Sequence, residues 1–377
     1  MKKKITLLLS LVMMMSILIG CVPASESKES STVTAQTTIA SASQDGTTDA
    51  AQATETPKEL TTLRVAVQPY YNSMQMAYIK DKGLDKANGL DLQPILFSNG
   101  ATQNEALGAG LWDVALTGGA FVFGVANYDA KVIGSHIDGT GGNELYVRAD
   151  SPIAKVVGYN PTYPTVLGDP ETVKGAKIII ATGTTSQLCA VKWIAAIGVK
   201  EEDVEMLNMD YASGYQAFLT GEADVVVLVS PFCFNAPGNG WVKAADLLSL
   251  DAPNYEEIVA SDDAYTNQKD ALTTFLKLIY MTNDALEADF DLKVQYTMKW
   301  YSDNANAVTI EQATQECKLK PLITSEKAKN LEMGIYEKNY ADFMAMIDKL
   351  DASQADNVLG NVKPELLKAA LTSSEFQ

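Results

Sequence analysis

The feature that most constrains this chain is a pattern that occurs twice. Gly110-Leu111-Trp112-Asp113-Val114 and Gly221-Glu222-Ala223-Asp224-Val225 both read Gly-x-x-Asp-Val, a turn into a buried strand. Each comes after another strand that runs into a helix-starting turn. In the second copy Ile178, Ile179 and Ile180 are β-branched and contiguous, which suits a strand covered on both faces. Gly183 permits a tight turn, Thr184 and Gln187 have capping-box spacing, and Leu188, Val191, Ile194 and Ala195 recur at helical intervals. In the first copy Leu63, Val65 and Val67 alternate as a strand, Gln68-Pro69-Tyr70-Tyr71 breaks it, and Asn72 with Gln75 predicts a capped helix ending near Gly83. Asn72 precedes Gly110 by 38 residues and Thr184 precedes Gly221 by 37. The shared spacing predicts two α/β lobes of similar build. Each turn opens a helix whose first N–H groups attract electron-rich ligand atoms, so the turns are where a ligand is expected.

The rest of the chain fills in this frame. Leu90 to Leu96, interrupted by Pro94, predicts a strand, and Thr102 to Leu107 a short helix. Lys131 to Ser135 and Glu144 to Val147 read as strands separated by a glycine-rich segment that holds His136, and Arg148 to Pro152 as a crossing segment. Val156 to Pro170, rich in Tyr, Pro and Gly, reads as a surface loop or a rim over a cleft. Val204 to Met209 reads as a strand, and Ser213 to Leu219 as a helix with Ser213 and Gln216 at capping-box spacing. Glu257 to Ala260 reads as a returning strand, and the chain beyond it is helical, with apolar faces that mark ordinary packing.

Charge narrows the function. With 47 acidic against 29 basic side chains the formal charge is −18, which argues against nucleic acid and against anionic membrane surfaces. Arg64 and Arg148 are the only arginines and His136 the only histidine, so a guanidinium clamp, a His-rich metal site and a Ser-His-Asp triad all lack residues. No metal and no cofactor is expected. Cys189, Cys233 and Cys317 have no paired spacing and read as buried apolar residues.

At the N-terminus Lys2, Lys3 and Lys4 precede an apolar run from Ile5 to Ile19 that ends Leu18-Ile19-Gly20-Cys21. This resembles a bacterial lipoprotein signal peptide over residues 1–20, with Cys21 as the acylated first residue of the mature chain. Such an anchor holds a protein on the extracytoplasmic face of the membrane by lipid alone. Residues 21–59, dominated by Ser, Thr, Ala and Gln, read as a flexible tether.

Val65-Ala66-Val67-Gln68-Pro69 with Asn72, Asp113-Val114-Ala115-Leu116-Thr117-Gly118, Val147-Arg148-Ala149-Asp150-Ser151-Pro152, and Lys177 to Ile180 with Gly183-Thr184-Thr185 resemble segments of one family. It is the extracytoplasmic substrate-binding proteins of ATP-binding-cassette (ABC) importers, in the branch with nitrate, taurine, alkanesulfonate and thiamine-pyrimidine binders. The resemblance implies the type 2 periplasmic-binding-protein fold, α/β and two-lobed, with a two-strand hinge and a ligand cleft between the lobes. Residues 60–148 plus 256–377 would form the first lobe and 149–255 the second. The ligand-binding residues it implies are Gln68, Tyr70, Tyr71 and Asn72; Thr117, Gly118, Gly119 and Ala120; Gly183, Thr184, Thr185 and Ser186; and Ser230, Phe232 and Phe234. Asp210 and Tyr211 are added at the end of a second-lobe strand, Asp210 either as a partner for a ligand amine or ring N–H or as the N-cap of the helix at Ser213. Arg148 falls in the hinge segment, so an acidic ligand would depend on helix N-termini.

The function implied is capture of a small organic solute, whether an aromatic or heteroaromatic compound, an organic acid or a sulfonate. The partners would be an ABC permease with its ATPase, the protein itself acting as a monomer. Two alternatives stay open. One is a sensing lipoprotein that reports to a signalling partner; the other is an enzyme on the same fold, like the pyrimidine synthases, for which the histidine and cysteine supply is poor.

Overall fold

Ten strands in a computed structural model, which describes residues 59–372, assemble into two five-stranded sheets of the same plan. The first contains β1 (Thr61–Val67), β2 (Leu90–Leu96), β3 (Val114–Thr117), β4 (Lys131–Asp138) and β10 (Tyr255–Ala260), in the order β2-β1-β3-β10-β4. The second contains β5 (Asn143–Arg148), β6 (Lys177–Ile180), β7 (Glu205–Asn208), β8 (Val225–Val229) and β9 (Trp241–Asp246), in the order β7-β6-β8-β5-β9. In each sheet four strands run in one direction and the fifth is inserted antiparallel to its neighbours: β10 between β3 and β4, β5 between β8 and β9. Pro94 sits in edge strand β2, where its missing N–H interrupts no second ladder. The expected signal peptide, Cys21 and nearly all of the tether lie outside the described residues. Among the described residues no helix is long and apolar enough to cross a membrane.

The sequence repeat becomes a repeat of hydrogen bonds. Asp113 accepts the backbone N–H of Arg64 at 2.7 Å, and Asp224 accepts that of Lys177 at 2.9 Å. Each aspartate, standing just before β3 or β8, thus ties the start of that strand to the neighbouring parallel one. At the other end Ser73 Oγ accepts from Gln68 N (3.0 Å) and Ser186 Oγ from Ala181 N (3.2 Å), closing the turn after β1 and after β6 in the same way. The helices after β2 and β7 also correspond: Asn99 caps the helix Gly100–Gly108 and Asp210 caps Tyr211–Thr220.

Several expected caps differ. Residues 71–73 form a 3-10 turn and the helix Gln75–Asp81 starts without a side-chain cap, so Asn72 is free to point elsewhere. Thr184 caps the helix Thr185–Ala196 by accepting from Ser186 N, while Gln187 Oε1 takes the N–H of Gly183. The cap at the next helix is Asp210 and not Ser213, which lies inside it.

Sheet membership also moves the boundary between lobes. The division expected at residue 148/149 would leave β5 in the first lobe, yet Asn143 to Val147 pairs with Val229 to Val225 of β8. The chain therefore crosses at 139–142 and returns at 247–254. Gly139 N donates to Asn254 O (2.9 Å) and Asn254 N to Thr140 Oγ1 (3.0 Å), so the two crossings are bonded to each other. Val156 to Pro170 packs on the second sheet, with Leu167 N donating to Ala244 O and Trp193 Nε1 to Leu167 O, each at 2.9 Å. It forms no rim over the cleft.

One apolar core covers one face of each sheet, joining Ala66, Ala115 and Val259 to Ile178, Ile180 and Val225. On its other face the first sheet is covered by Leu272, Phe275, Leu276 and Ile279 of the helix Lys269–Ala288, against Val65, Leu116 and Ile258. His136 is not a loop residue: it lies in β4, fully buried, with Gln75 Nε2 donating to its Nδ1 at 3.2 Å. Burial lowers its pKa from 6.5 to about 3.

The matched aspartates and the buried histidine can each be tested by unfolding. Asp113, buried and also bonded to the Arg64 guanidinium, supports more than Asp224, whose side chain is exposed. Asp113→Ala should cost about 2 kcal/mol in urea unfolding and Asp224→Ala about 1 kcal/mol or less. His136 is held neutral, so its contribution is complete above its ordinary pKa of 6.5 and is lost as pH falls from there toward about 3. Relative to His136→Gln, the wild-type chain should lose stability on the order of 1.4 kcal/mol per pH unit across that window. The buried carboxyls of Glu256 and Glu257, whose pKa values burial raises, have the opposite sign, which is why the comparison is made against the histidine variant.

Candidate functional site

The C-terminal ends of the parallel strands in the two sheets face one another, which is where open α/β sheets bind ligands. The space between them is small, about 40 Å³, and both lobes line it. From the first lobe come Gln68, Tyr70 and Asn72 after β1, Gly100, and Gly118, Gly119 and Ala120 after β3. The second lobe contributes Asn143, Thr184, Thr185, Tyr211, Val229 and Ser230, while Glu256 comes from β10 of the first sheet and Lys320 from the C-terminal helical region. A larger cavity of about 450 Å³ lies behind the crossings, between the helices Thr185–Ala196 and Ile335–Met346. Tyr340 lines it and reaches Gly119 at the back of the front cleft, and the front cleft, lined by the matched strand ends, is the candidate site.

The lobes touch across this cleft. Gly119 N donates to Thr185 Oγ1 (2.9 Å), and the same hydroxyl reaches Asn254 Oδ1 in the returning crossing (3.4 Å). Tyr70 of the first lobe meets Tyr211 of the second edge-on, with ring centroids 5.5 Å apart, and Phe232 at 6.4 Å. Burial raises the pKa of both tyrosines, keeping the phenols neutral. A side chain at Gly118 or Gly119 would not fit: a Cβ would stand 2.8 Å from Glu256 Oε2 at the first and 2.1 Å from Tyr340 Oη at the second.

Of the residues expected from sequence, the structure brings Gln68, Tyr70, Asn72, Gly118, Gly119, Ala120, Thr184, Thr185 and Ser230 together around the cleft. Phe232 stands behind Tyr70. Thr117 is buried beside it, its hydroxyl without a partner among the described residues. Four expected residues do other work. Tyr71 is fully buried in the first-lobe core and donates its hydroxyl to Lys320 O (3.0 Å). Ser186 closes the turn after β6, and Gly183, at φ 74°, provides the left-handed bend that lets its N–H reach Gln187. Phe234 packs against the outer core of the second sheet with Phe218 and Trp241.

Asp210 is a correction of a different kind. Its Oδ1 accepts from Ala212 N and Ser213 N, both at 3.1 Å, and its Oδ2 from the Ser213 hydroxyl, which together lower its pKa. The carboxylate is consumed by its own helix and is not offered to a ligand. The expected anion site at the Thr184 turn is likewise partly spent, because Gly183 N and Ser186 N already donate to Gln187 and Thr184.

The charged residues of the cleft are ones the pattern did not single out. Lys320 Nζ donates to Ser230 Oγ (2.8 Å) and pairs with Glu316 Oε1 at 3.3 Å. Glu316 also accepts from the Ser230 hydroxyl and, through Oε2, from Tyr301 (2.5 Å). Glu256, on β10, is buried, and burial raises its pKa, with Lys320 and the Asn72 amide acting in the opposite sense. A lysine ending a helix and two acids among apolar neighbours look like surface residues in sequence; only the crossings bring them inside.

The two threonines of the turn therefore have separable roles. Thr185→Val removes bonds made between the lobes, so it should weaken ligand affinity about tenfold, roughly 1.4 kcal/mol, with the melting temperature of the unliganded protein little changed. Thr184→Val removes a cap and the bond to Ala181 O, so it should cost about 1 kcal/mol of stability. Calorimetric titration and thermal melting of the two variants separate these outcomes.

No protein-family model matches the chain. A Brachyspira hyodysenteriae protein named as an ABC transporter periplasmic binding protein is 36% identical over 313 residues, covering 83% of this chain and 90% of the relative. A binding protein of Brucella abortus is 24% identical over 266 residues, covering 69% of this chain and 76% of its own length. Among solved structures, the alkanesulfonate-binding protein SsuA from Xanthomonas axonopodis pv. citri superposes with a TM-score of 0.62 at 17% identity, covering 81% of this chain and 99% of that one. The nitrate-binding protein NrtA from Synechocystis PCC 6803 gives 0.65 at 13% identity, covering 85% and 90%. These two share the fold. On the strength of the first relative, the chain belongs to the periplasmic solute-binding proteins of ABC transporters.

Proposed function

We propose that the cleft between the two sheets holds a small organic solute and that closure of the lobes around it is the signal read by the ABC permease. The observation that carries this reading is that three direct contacts across the front of the cleft, Gly119 to Thr185, Tyr70 to Tyr211 and Lys320 to Ser230, are made by residues that also line it. A ligand seated there touches both lobes, so its binding energy and the closing energy are one quantity. An organic solute of several heavy atoms cannot enter about 40 Å³ of space, so the lobes part about residues 139–142 and 247–254 to admit it. Gln68, Tyr70, Asn72, Gly118 to Ala120, Thr184, Thr185, Ser230, Glu256 and Lys320 are the proposed ligand contacts, with Phe232 supporting the aromatic wall. The protein acts by binding and carries out no reaction. It works as a monomer, tethered by a lipid on Cys21 to the extracytoplasmic face of the membrane, and supplies an importer; the sensing role has no residue here that favours it.

Two measurements test this. Small-angle scattering and thermal shift across a panel of amines, aromatic acids, pyrimidines, sulfonates and nitrate should find at least one compound that compacts the protein and raises its melting temperature. A panel-wide absence of both effects would sink the binding role assigned to the cleft. In cells, Cys21→Ser should release the protein from the membrane fraction, and retention of the variant would refute the lipid anchor.

A further inference from the structure

The charges buried around the cleft do not balance, and the imbalance specifies a ligand. Lys320 and Glu316 neutralise one another: the ammonium stands 3.3 Å from Glu316 Oε1 and donates to Ser230, while Tyr301 completes the other carboxylate oxygen. Glu256 is outside this pair. Its carboxyl sits between the cleft loop and the outgoing crossing: a Cβ on Gly118 would stand 2.8 Å from Oε2, and one on Gly139 2.6 Å from Oε1. It is 7% exposed, and among the described residues no lysine or arginine comes within ion-pairing distance of it. Lys320 and Asn72, which line the same cleft, oppose the burial that raises its pKa without pairing with it. A carboxyl so buried is neutralised by a proton, a counter-charge or several donors, and a protonated ligand nitrogen supplies the last two together.

Resting on the binding role assigned to the cleft above, we propose that its ligand is an organic cation, an amine or amidine on a flat or apolar body, whose protonated nitrogen docks on Glu256. The rings of Tyr70 and Tyr211, which meet across the lobes, supply the aromatic surface that such a cation favours. Asn72 and Gln68 stand beside it in the same lining, and the neutral Lys320–Glu316 pair forms the far wall. An alkanesulfonate or nitrate, the ligands named for two structural neighbours, would bring negative charge toward a buried carboxyl that has no ion-pair partner among the described residues. The one cation in the cleft is already engaged, and two N–H groups of the Thr184 turn are satisfied internally. Cation selectivity thus comes from what Glu256 lacks, and anion rejection from what Lys320 already has.

The test uses the full mature chain and three probes of one shape: benzamidine, its neutral analogue benzamide, and benzenesulfonate, titrated by calorimetry, with nitrate as a fourth. Benzamidine should bind at least about tenfold tighter than benzamide and than either anion. Glu256→Gln, similar in size and able to hydrogen-bond, should bring benzamidine and benzamide to within about twofold of each other. Benzenesulfonate or nitrate binding as tightly as benzamidine, an unchanged benzamidine preference in Glu256→Gln, or no benzamidine binding up to millimolar concentration would each overturn the inference. If the variant does not fold, the ranking of the four probes on the wild-type chain decides. Lobe closure driven by an anion would refute the cation assignment and leave the binding role intact; no closure by any solute would remove both.

Discussion

Neither sheet is complete without the crossings. A sheet of β2, β1 and β3 ends in an unpaired row of N–H and C=O groups beside β3, and that row is filled by β10, a strand that arrives only after the chain has built the second lobe. The second sheet depends in the same way on β5, which comes directly after the first crossing. Buried backbone groups that lose their partners cost free energy at every position, so each lobe's core requires the chain to have passed between the lobes. The two crossings are thus structural obligations before they are hinges. They also place chemistry: β10 carries Glu256 and β5 begins at Asn143, so both inserted strands bring a polar residue to the cleft.

The lobes are otherwise joined by contacts of modest strength. A hydrogen bond from a glycine N–H, an edge-on aromatic pair and a buried lysine–glutamate–serine cluster span the front, and Asn254 links the rear by accepting from Thr185 and from Tyr336 (3.2 Å). Interactions of this kind are each worth on the order of 1 kcal/mol net. That is the range in which a small ligand's differential contacts can tip an open–closed equilibrium.

The two lobes were legible because their strands bury both faces. Ile178 to Ile180 and the Gly-x-x-Asp-Val pair stand out in sequence for the same reason that they pack: a run of β-branched residues has nowhere to go but inside, and the aspartate has one job at one register. Caps were read less well. Asn72 looked like a cap because asparagine usually is one, but the chain makes a 3-10 turn there and leaves the side chain lining the cleft. Asp210 was open to two readings, ligand partner or cap, and the structure makes it the cap. Lys320, Glu316 and Glu256 were not legible at all, since a charged residue is normally solvated and nothing local marks one that tertiary structure will bury. Counting arginines alone concealed the lysine.

Gly118 and Gly119 carry one more consequence. The space a methyl group would need at these positions is held by Glu256 Oε2 from the returning strand and by the Tyr340 hydroxyl from a C-terminal helix. Both of those groups belong to the same lobe as the glycines, and from the second lobe Thr185 Oγ1 stands 3.0 Å from where either methyl would sit, so an alanine would crowd its own lobe and the facing one together. The absence of two side chains is therefore what gives this protein a shut position, and the smallest residues in the cleft set how far its doors can swing.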